Sequence, residues 1–139
     1  MDTCYIFKSC CLKPIKNNLG YYEGRRLDVK DFIEKHVKFN LDKVLEVGCG
    51  VGNFYKLVKC NSWIGIEPNT EAANEAKSKG LEVINSTYEE YSNKLSSNYF
   101  DLVICNDVIE HMPSHDFFLK DSLRILKPKG AIVGSVPNV

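Results

Sequence analysis

The sequence predicts an α/β domain, three layers deep, in which helices cover both faces of a mainly parallel sheet of about five strands. Three observations lead there. Short apolar, β-branched segments alternate with helix-patterned ones along most of the chain. A glycine-rich turn, "GCGVG" (Gly48–Gly52), follows directly on the first of those apolar segments. The uncharged run "LVICN" (Leu102–Asn106) suits a strand buried on both faces, as strands of parallel sheets are.

Taken in order, residues 1–24 read as an irregular N-terminal segment, with Pro14 and Gly20 in it, and residues 25–139 as the domain. Val29, Phe32, Ile33, His36 and Val37 share one face at helical spacing, with His36 expected in the core or at its boundary. Lys43–Val47 ("KVLEV") is a strand, and Asn53–Lys59 ("NFYKLVK") the helix after the glycine turn. Trp63–Glu67 ("WIGIE") is a second strand. The next segment carries helix signals at both ends: Asn69 or Thr70 as N-cap and Gly80 for the left-handed terminus. Glu75 and Lys79 form a pair one turn apart on it. Leu81–Asn85 is a third strand and Tyr99–Asp107 a fourth. A helix from about Ser114 aligns Phe118, Leu119, Leu123 and Leu126 on one stripe and is ended by Pro128 and Gly130. Ala131–Val136 is the fifth strand.

Composition excludes several functions. The chain has 139 residues, 44% of them hydrophobic and 26% charged, which suits one globular domain. Eighteen basic residues balance 18 acidic ones, so no polyanion field is present and no nucleic-acid partner is expected. No apolar stretch approaches the roughly 20 residues of a membrane span. Asp2 and Lys8 break any secretory pattern at the start. The six cysteines, Cys4, Cys10, Cys11, Cys49, Cys60 and Cys105, have no framework spacing and read as reduced thiols of a cytoplasmic protein. The spacing of Cys4, Cys10 and Cys11 matches no common zinc pattern.

In a parallel α/β sheet, ligands bind outside the carboxyl ends of the strands, where strand order reverses. The glycine turn stands at such an end. Its glycines follow G-x-G-x-G, and Asn53 occupies the place of the third dinucleotide glycine. No Lys-Ser/Thr follows, so it is no P-loop either. Two acids narrow the ligand further. Glu46, next to last in the first strand, would repel phosphate and attract a cation. Glu67 closes the second strand, where a carboxylate accepts hydrogen bonds from both ribose hydroxyls. A cationic nucleoside without phosphate satisfies both, and S-adenosylmethionine has that description.

The stretches "VLEVGCGVG", "GIEPN", "FDLVICNDVIEHMP" and "LKPKGAIVGSVPNV" resemble the class I S-adenosylmethionine-dependent methyltransferases. The nearest likeness is to the branch with a D-V-I/L-E-H signature, which includes ubiquinone-biosynthesis O-methyltransferases; "YYEGRR" is similar as well. The resemblance covers about residues 21–139. It implies a Rossmann-like fold and methyl transfer from S-adenosyl-L-methionine to oxygen or nitrogen of a small-molecule or glycan-type acceptor. It also implies residue roles. Glu46, Gly48 and Gly50 would approach the methionine part, with Cys49 and Gly52 shaping the loop. Glu67 would bind the ribose, Pro68 would pack near the adenine, and Thr87 and Tyr88 would contact it. Asn106 would turn its backbone to the amino acid end. The family sheet usually has seven strands; the antiparallel hairpin at one edge is absent, leaving Ala131–Val136 as an edge. A partner, a second copy or the N-terminal 20 residues would cover it.

His111, beside Glu110 after the fourth strand, is the candidate base for an acceptor hydroxyl. A second reading is open. If "DVIEH" is helical, Asp107, Glu110 and His111 share a face and could hold a divalent ion; a third gives Glu110 and His111 a structural role in the loop. A non-catalytic, fragmentary cofactor-binding module with the same fold is the alternative to an enzyme. An NAD-type Rossmann enzyme is disfavoured by Asn53.

Overall fold

A computed structural model gives the structure of the chain and describes residues 4–10 and 18–137, with side chains from 27 to 136. The sheet has six strands: β1 (Cys4–Cys10), β2 (Lys43–Val47), β3 (Ser62–Ile66), β4 (Val83–Ile84), β5 (Phe100–Asn106) and β6 (Leu126–Pro137). Their order is β1-β6-β5-β2-β3-β4, and every pairing is parallel. The helices are α1 (Asn18–His36), α2 (Thr70–Ser78), α3 (Tyr88–Tyr91) and α4 (His115–Ile125).

Sequence order runs outward from β2 to β4 in one direction and from β5 to β6 in the other, with β1 added outside β6, so the reversal falls between β2 and β5. Alternation along each strand feeds two cores. Val44, Leu102, Ile104, Ala131 and Val133 pack with Val29 and Ile33 of α1 and with Ala73 and Ala76 of α2. Leu45, Val47, Val103, Cys105 and Ile132 face the other way, toward Tyr88, Phe118 and Ile125. At about 25 cal/mol per Å² of apolar area removed from water, these two layers are the main stabilising term.

Several expectations need correction. The N-terminal segment read as irregular contains β1 and the first turns of α1. β1 pairs along β6 from Cys4↔Ala131 to Cys10↔Pro137, so of the covers expected for that edge it is the N-terminal residues that supply one. Cys11 lies outside the described residues. His36 is exposed rather than core, with its ring 4.3 Å from that of Phe32. The expected helix after the glycine turn is a 3₁₀ turn, Asn53–Leu57. Gly52, its cap residue, offers no side-chain hydrogen bond, and β3 begins at Ser62, which leaves little length to propagate a helix. On α4 the buried stripe is Phe118, Ser122 and Ile125, while Leu123 is exposed and Leu126 already belongs to β6. The small, polar Ser122 hides the period. Pro128 does not stop the helix, which has ended at Ile125; it sits where β6 bulges against β5, between the Phe100↔Leu126 and Leu102↔Ala131 pairs.

The amino end of the sheet is fastened by Asp101. Its Oδ2 accepts from the backbone N–H of Asp42 (3.1 Å) and of Lys43 (2.8 Å), and Lys127 Nζ stands 3.3 Å away. One carboxylate thus ties β2, β5 and β6 at the end opposite the strand termini that matter for ligands. Asp101→Ala should lower the unfolding free energy by roughly 1–3 kcal/mol, since it leaves part-buried donors unpaired; urea titration followed by circular dichroism measures the loss, and an unchanged midpoint would contradict the role.

Candidate functional site

At the carboxyl ends of β2 and β5 the chain opens into a cleft of about 370 Å³. The glycine turn forms its floor, and the turn is built by backbone bonds. Gly48 N–H and Cys49 N–H both donate to Ile66 O, at 2.8 and 3.2 Å. Gly48 has φ +71°, and a Cβ there would strike Val108 at 2.3 Å, so both conformation and space demand glycine. Gly50 has φ +55° with nothing within 4 Å of a built Cβ: the chain is bare on that side.

Glu67 organises the wall. It is only 9% exposed, and each oxygen accepts from one backbone donor: Oε2 from Gly50 N–H (2.8 Å) and Oε1 from Asn69 N–H (2.9 Å). Asn85 holds the same corner from outside, donating through Nδ2 to Glu67 O (2.9 Å) and Pro68 O (3.1 Å). Asn69 also caps α2, its side chain accepting from Ala72 N–H. The acid is therefore fixed in position before any ligand arrives, with lone pairs left for donors in the cleft.

Glu46, Gly48, Cys49, Gly50, Glu67, Pro68, Asn106 and His111 all line this cleft. A second, apolar hollow of about 430 Å³ adjoins it, sharing Gly48, Pro68, Val108 and His111 and adding Thr87, Tyr88 and Met112. Thr87 there caps α3, accepting from Glu90 N–H. Tyr88 is a core residue: it is 2% exposed, its ring packs edge-on to Phe118, and its hydroxyl donates to Asp121 Oδ2 (2.8 Å). Burial first, then that carboxylate, push the phenol far above its ordinary pKa. Its ring, not its hydroxyl, is what the hollow offers a ligand.

Two expected residues line neither cavity. A Cβ on Gly52 would meet Leu81 at 2.3 Å, so this glycine serves the packing of the turn on the chain after α2. Glu110 lies beside His111, with Oε1 3.9 Å from Nε2. The imidazole of His111 is 79% exposed and makes no hydrogen bond among the described residues. Asp107, Glu110 and His111 do not share a helical face. The 3₁₀ turn begins only at Ile109, and Asp107 stands before it at φ +54° with Oδ1 accepting from Ser135 Oγ (3.1 Å). Among the described residues no three His, Cys, Asp or Glu side chains are placed to hold a metal ion.

Cys49 is buried, and burial, aided by Glu46 and Glu67, pushes its thiol up to about 12. Phe54, Val108 and Ser135 also line the cleft without having been singled out in the sequence. Ser135 carried a signal, since it sits near the carboxyl end of the last strand; Phe54 and Val108 read as ordinary apolar positions.

Comparison with known proteins agrees with this arrangement. Residues 45–134 match a family model described as a methyltransferase domain. A ubiquinone biosynthesis O-methyltransferase of Escherichia coli O127:H6 is 30% identical over 104 residues, 69% of this chain and 43% of that protein. The chain thus spans less than half the length of this curated relative. Among solved structures, a methyltransferase from Thermotoga maritima, described as a possible histamine N-methyltransferase, is 26% identical with a TM-score of 0.62, over 84% of this chain and 57% of that one. A methyltransferase from Archaeoglobus fulgidus shares the fold at 23% identity, TM-score 0.62, with the same coverage of both chains. Since the matched model spans well over half of the sequence, from within β2 to within β6, the chain belongs to the methyltransferase domain family.

Proposed function

We propose that the chain binds S-adenosyl-L-methionine in this cleft and serves methyl transfer to oxygen or nitrogen of a small-molecule or glycan-type acceptor, in the cytoplasm. The observation that carries the reading is Glu67: a carboxylate immobilised by Gly50 N–H and Asn69 N–H at the strand-order reversal, with the bare glycine turn beside it. That pair suits a diol lying against backbone, and the turn lacks the phosphate-binding pattern that a dinucleotide needs. The apolar hollow at Pro68, Thr87 and Met112 suits a flat heterocycle. An orphaned amide at Asn106 leaves room for a polar group at the other end.

When bound, the cofactor supplies an activated methyl group. The residues of this chain have to orient it and manage a proton. Glu67 fixes the nucleoside, and the glycine turn lets it lie close. His111, at the mouth shared by both cavities, is the group that takes a proton from an acceptor hydroxyl, with Glu110 as its neighbouring carboxylate. Cys49 is no nucleophile, because its thiol stays protonated at neutral pH. A second reading, a cofactor-binding module without catalysis, is favoured by the exposure of His111 and by its lack of a hydrogen bond to aim it.

Three outcomes are expected. Calorimetry should show micromolar-range binding of S-adenosylmethionine and none of NAD, and Glu67→Ala should weaken the former at least about tenfold; equal affinity in variant and parent contradicts the ribose assignment. With any acceptor that the parent methylates, His111→Ala should keep cofactor affinity and lose on the order of a hundredfold in turnover; equal turnover removes His111 as the base. Native Cys49 should resist a thiol reagent at pH 8 and react once the chain is unfolded in urea, with the labelled site read by peptide mapping because Cys60 is only partly buried; prompt labelling of Cys49 in the folded protein would contradict its protonated, buried state.

A further inference from the structure

The His111 side chain makes no hydrogen bond among the described residues, so its place at the mouth is set through its backbone. That backbone leaves β5 by a left-handed step. Asp107, the first residue after the strand, has φ +54°. Aspartate tolerates this region better than most side chains, yet the conformation still has to be held by its surroundings. Ser135 on β6 holds it twice. Asp107 N–H donates to Ser135 O at 2.8 Å, and Ser135 Oγ donates to Asp107 Oδ1 at 3.1 Å. Ser135 is 1% exposed and stands opposite Asn106 in the strand register, so the anchor belongs to the sheet itself.

Beyond Asp107 the chain folds over the glycine turn. Val108 lies so close to Gly48 that a Cβ on the glycine would strike Val108 Cγ2 at 2.3 Å. Ile109 is buried in the core, and His111 N–H donates to Val108 O at 3.0 Å. The imidazole therefore projects from one short turn, whose entry is tied to a single serine. We propose that Ser135 is a positioning residue for methyl transfer: through Asp107 it sets where the His111 imidazole meets the acceptor. The hydroxyl-to-carboxylate bond is charge-assisted, which suits a tether on a backbone step that few side chains adopt unaided. This inference rests on the reading of His111 as the base.

The test is a double-variant cycle with a spectroscopic arm. With an acceptor that the parent methylates, Ser135→Ala should keep its affinity for S-adenosylmethionine and lose about tenfold in turnover. In a His111→Ala background the same change should cost no further turnover, because nothing is left to position. Asp107→Asn keeps an acceptor for the hydroxyl and tolerates the left-handed region, so its turnover should stay closer to the parent's than that of Ser135→Ala. The spectroscopic arm needs no acceptor. Nuclear Overhauser contacts between Gly48 Hα and the Val108 methyls should weaken in Ser135→Ala, while those between the Tyr88 and Phe118 rings stay unchanged. Should Ser135→Ala fail to fold, Asp107→Ala removes the same bond from its half-buried side and should behave alike. The inference is overturned by a Gly48–Val108 contact that persists in Ser135→Ala, by unchanged turnover, by equal losses in both backgrounds, or by a larger loss in Asp107→Asn than in Ser135→Ala. Equal turnover of His111→Ala and the parent overturns the reading of the base itself, and this inference falls with it.

Discussion

One carboxylate sets the geometry of this molecule's working edge. Glu67 ends β3, yet its oxygens reach across to the glycine turn after β2 and forward to the N-terminus of α2. Its main chain is held in turn by Asn85, beyond β4. The connections after β2, β3 and β4 therefore converge on a single residue, the first two on its side chain and the third on its backbone carbonyl. The bonds are charge-assisted and the group is largely shielded from water, which makes them stronger than neutral ones. Remove the acid, and Gly50 and Asn69 lose the acceptor that fixes their backbones.

The rest of the fold leaves this edge open while locking the others. Asp101 clamps the amino end of β2, β5 and β6. On the far face Arg124 pairs with Asp121 at 2.7 Å and donates to Leu95 O and Ser92 O, both at 2.8 Å, and Asp121 also takes the Tyr88 hydroxyl. These bonds fasten α4 to α3 and to the chain that leads into β5. Tyr88, which floors the apolar hollow, is thus anchored from behind. The 3₁₀ turn carrying His111 is itself packed down by the buried Ile109, and the exposed imidazole lies at the mouth shared by both cavities. Lys79 adds an outer stay to the glycine turn by donating to Val51 O at 2.9 Å.

Much of this was legible in the sequence, for identifiable reasons. β2, β3, β5 and β6 announce themselves because strands buried on two faces must be continuous apolar runs. Glu67 and the glycines stood out because polar and bare residues at strand ends have few structural uses. Other features were hidden. β1 escaped notice because Cys4–Cys10 has neither clean alternation nor glycine punctuation, and it is defined by pairing with β6, a contact distant in sequence. The α4 stripe was misread because Ser122 is buried though polar. A shared face for Asp107, Glu110 and His111 is open only if "DVIEH" is helical, and spacing cannot decide that: the left-handed backbone of Asp107 before a 3₁₀ turn is a tertiary outcome, held by Ser135. The orphaned amide of Asn106 could not be seen at all without knowing what surrounds it.

The most direct test is residue-resolved. In ¹H–¹⁵N spectra of the chain titrated with S-adenosylmethionine, the amides of Gly48, Gly50 and Asn69 and the side-chain NH₂ of Asn106 should shift together with one dissociation constant, because Gly48, Gly50 and Asn106 line one cleft and the Asn69 N–H is bonded to Glu67, which lines it too. Shifts confined to another surface, such as the groove between α1 and Cys60, or no shifts at saturating ligand, would contradict the account.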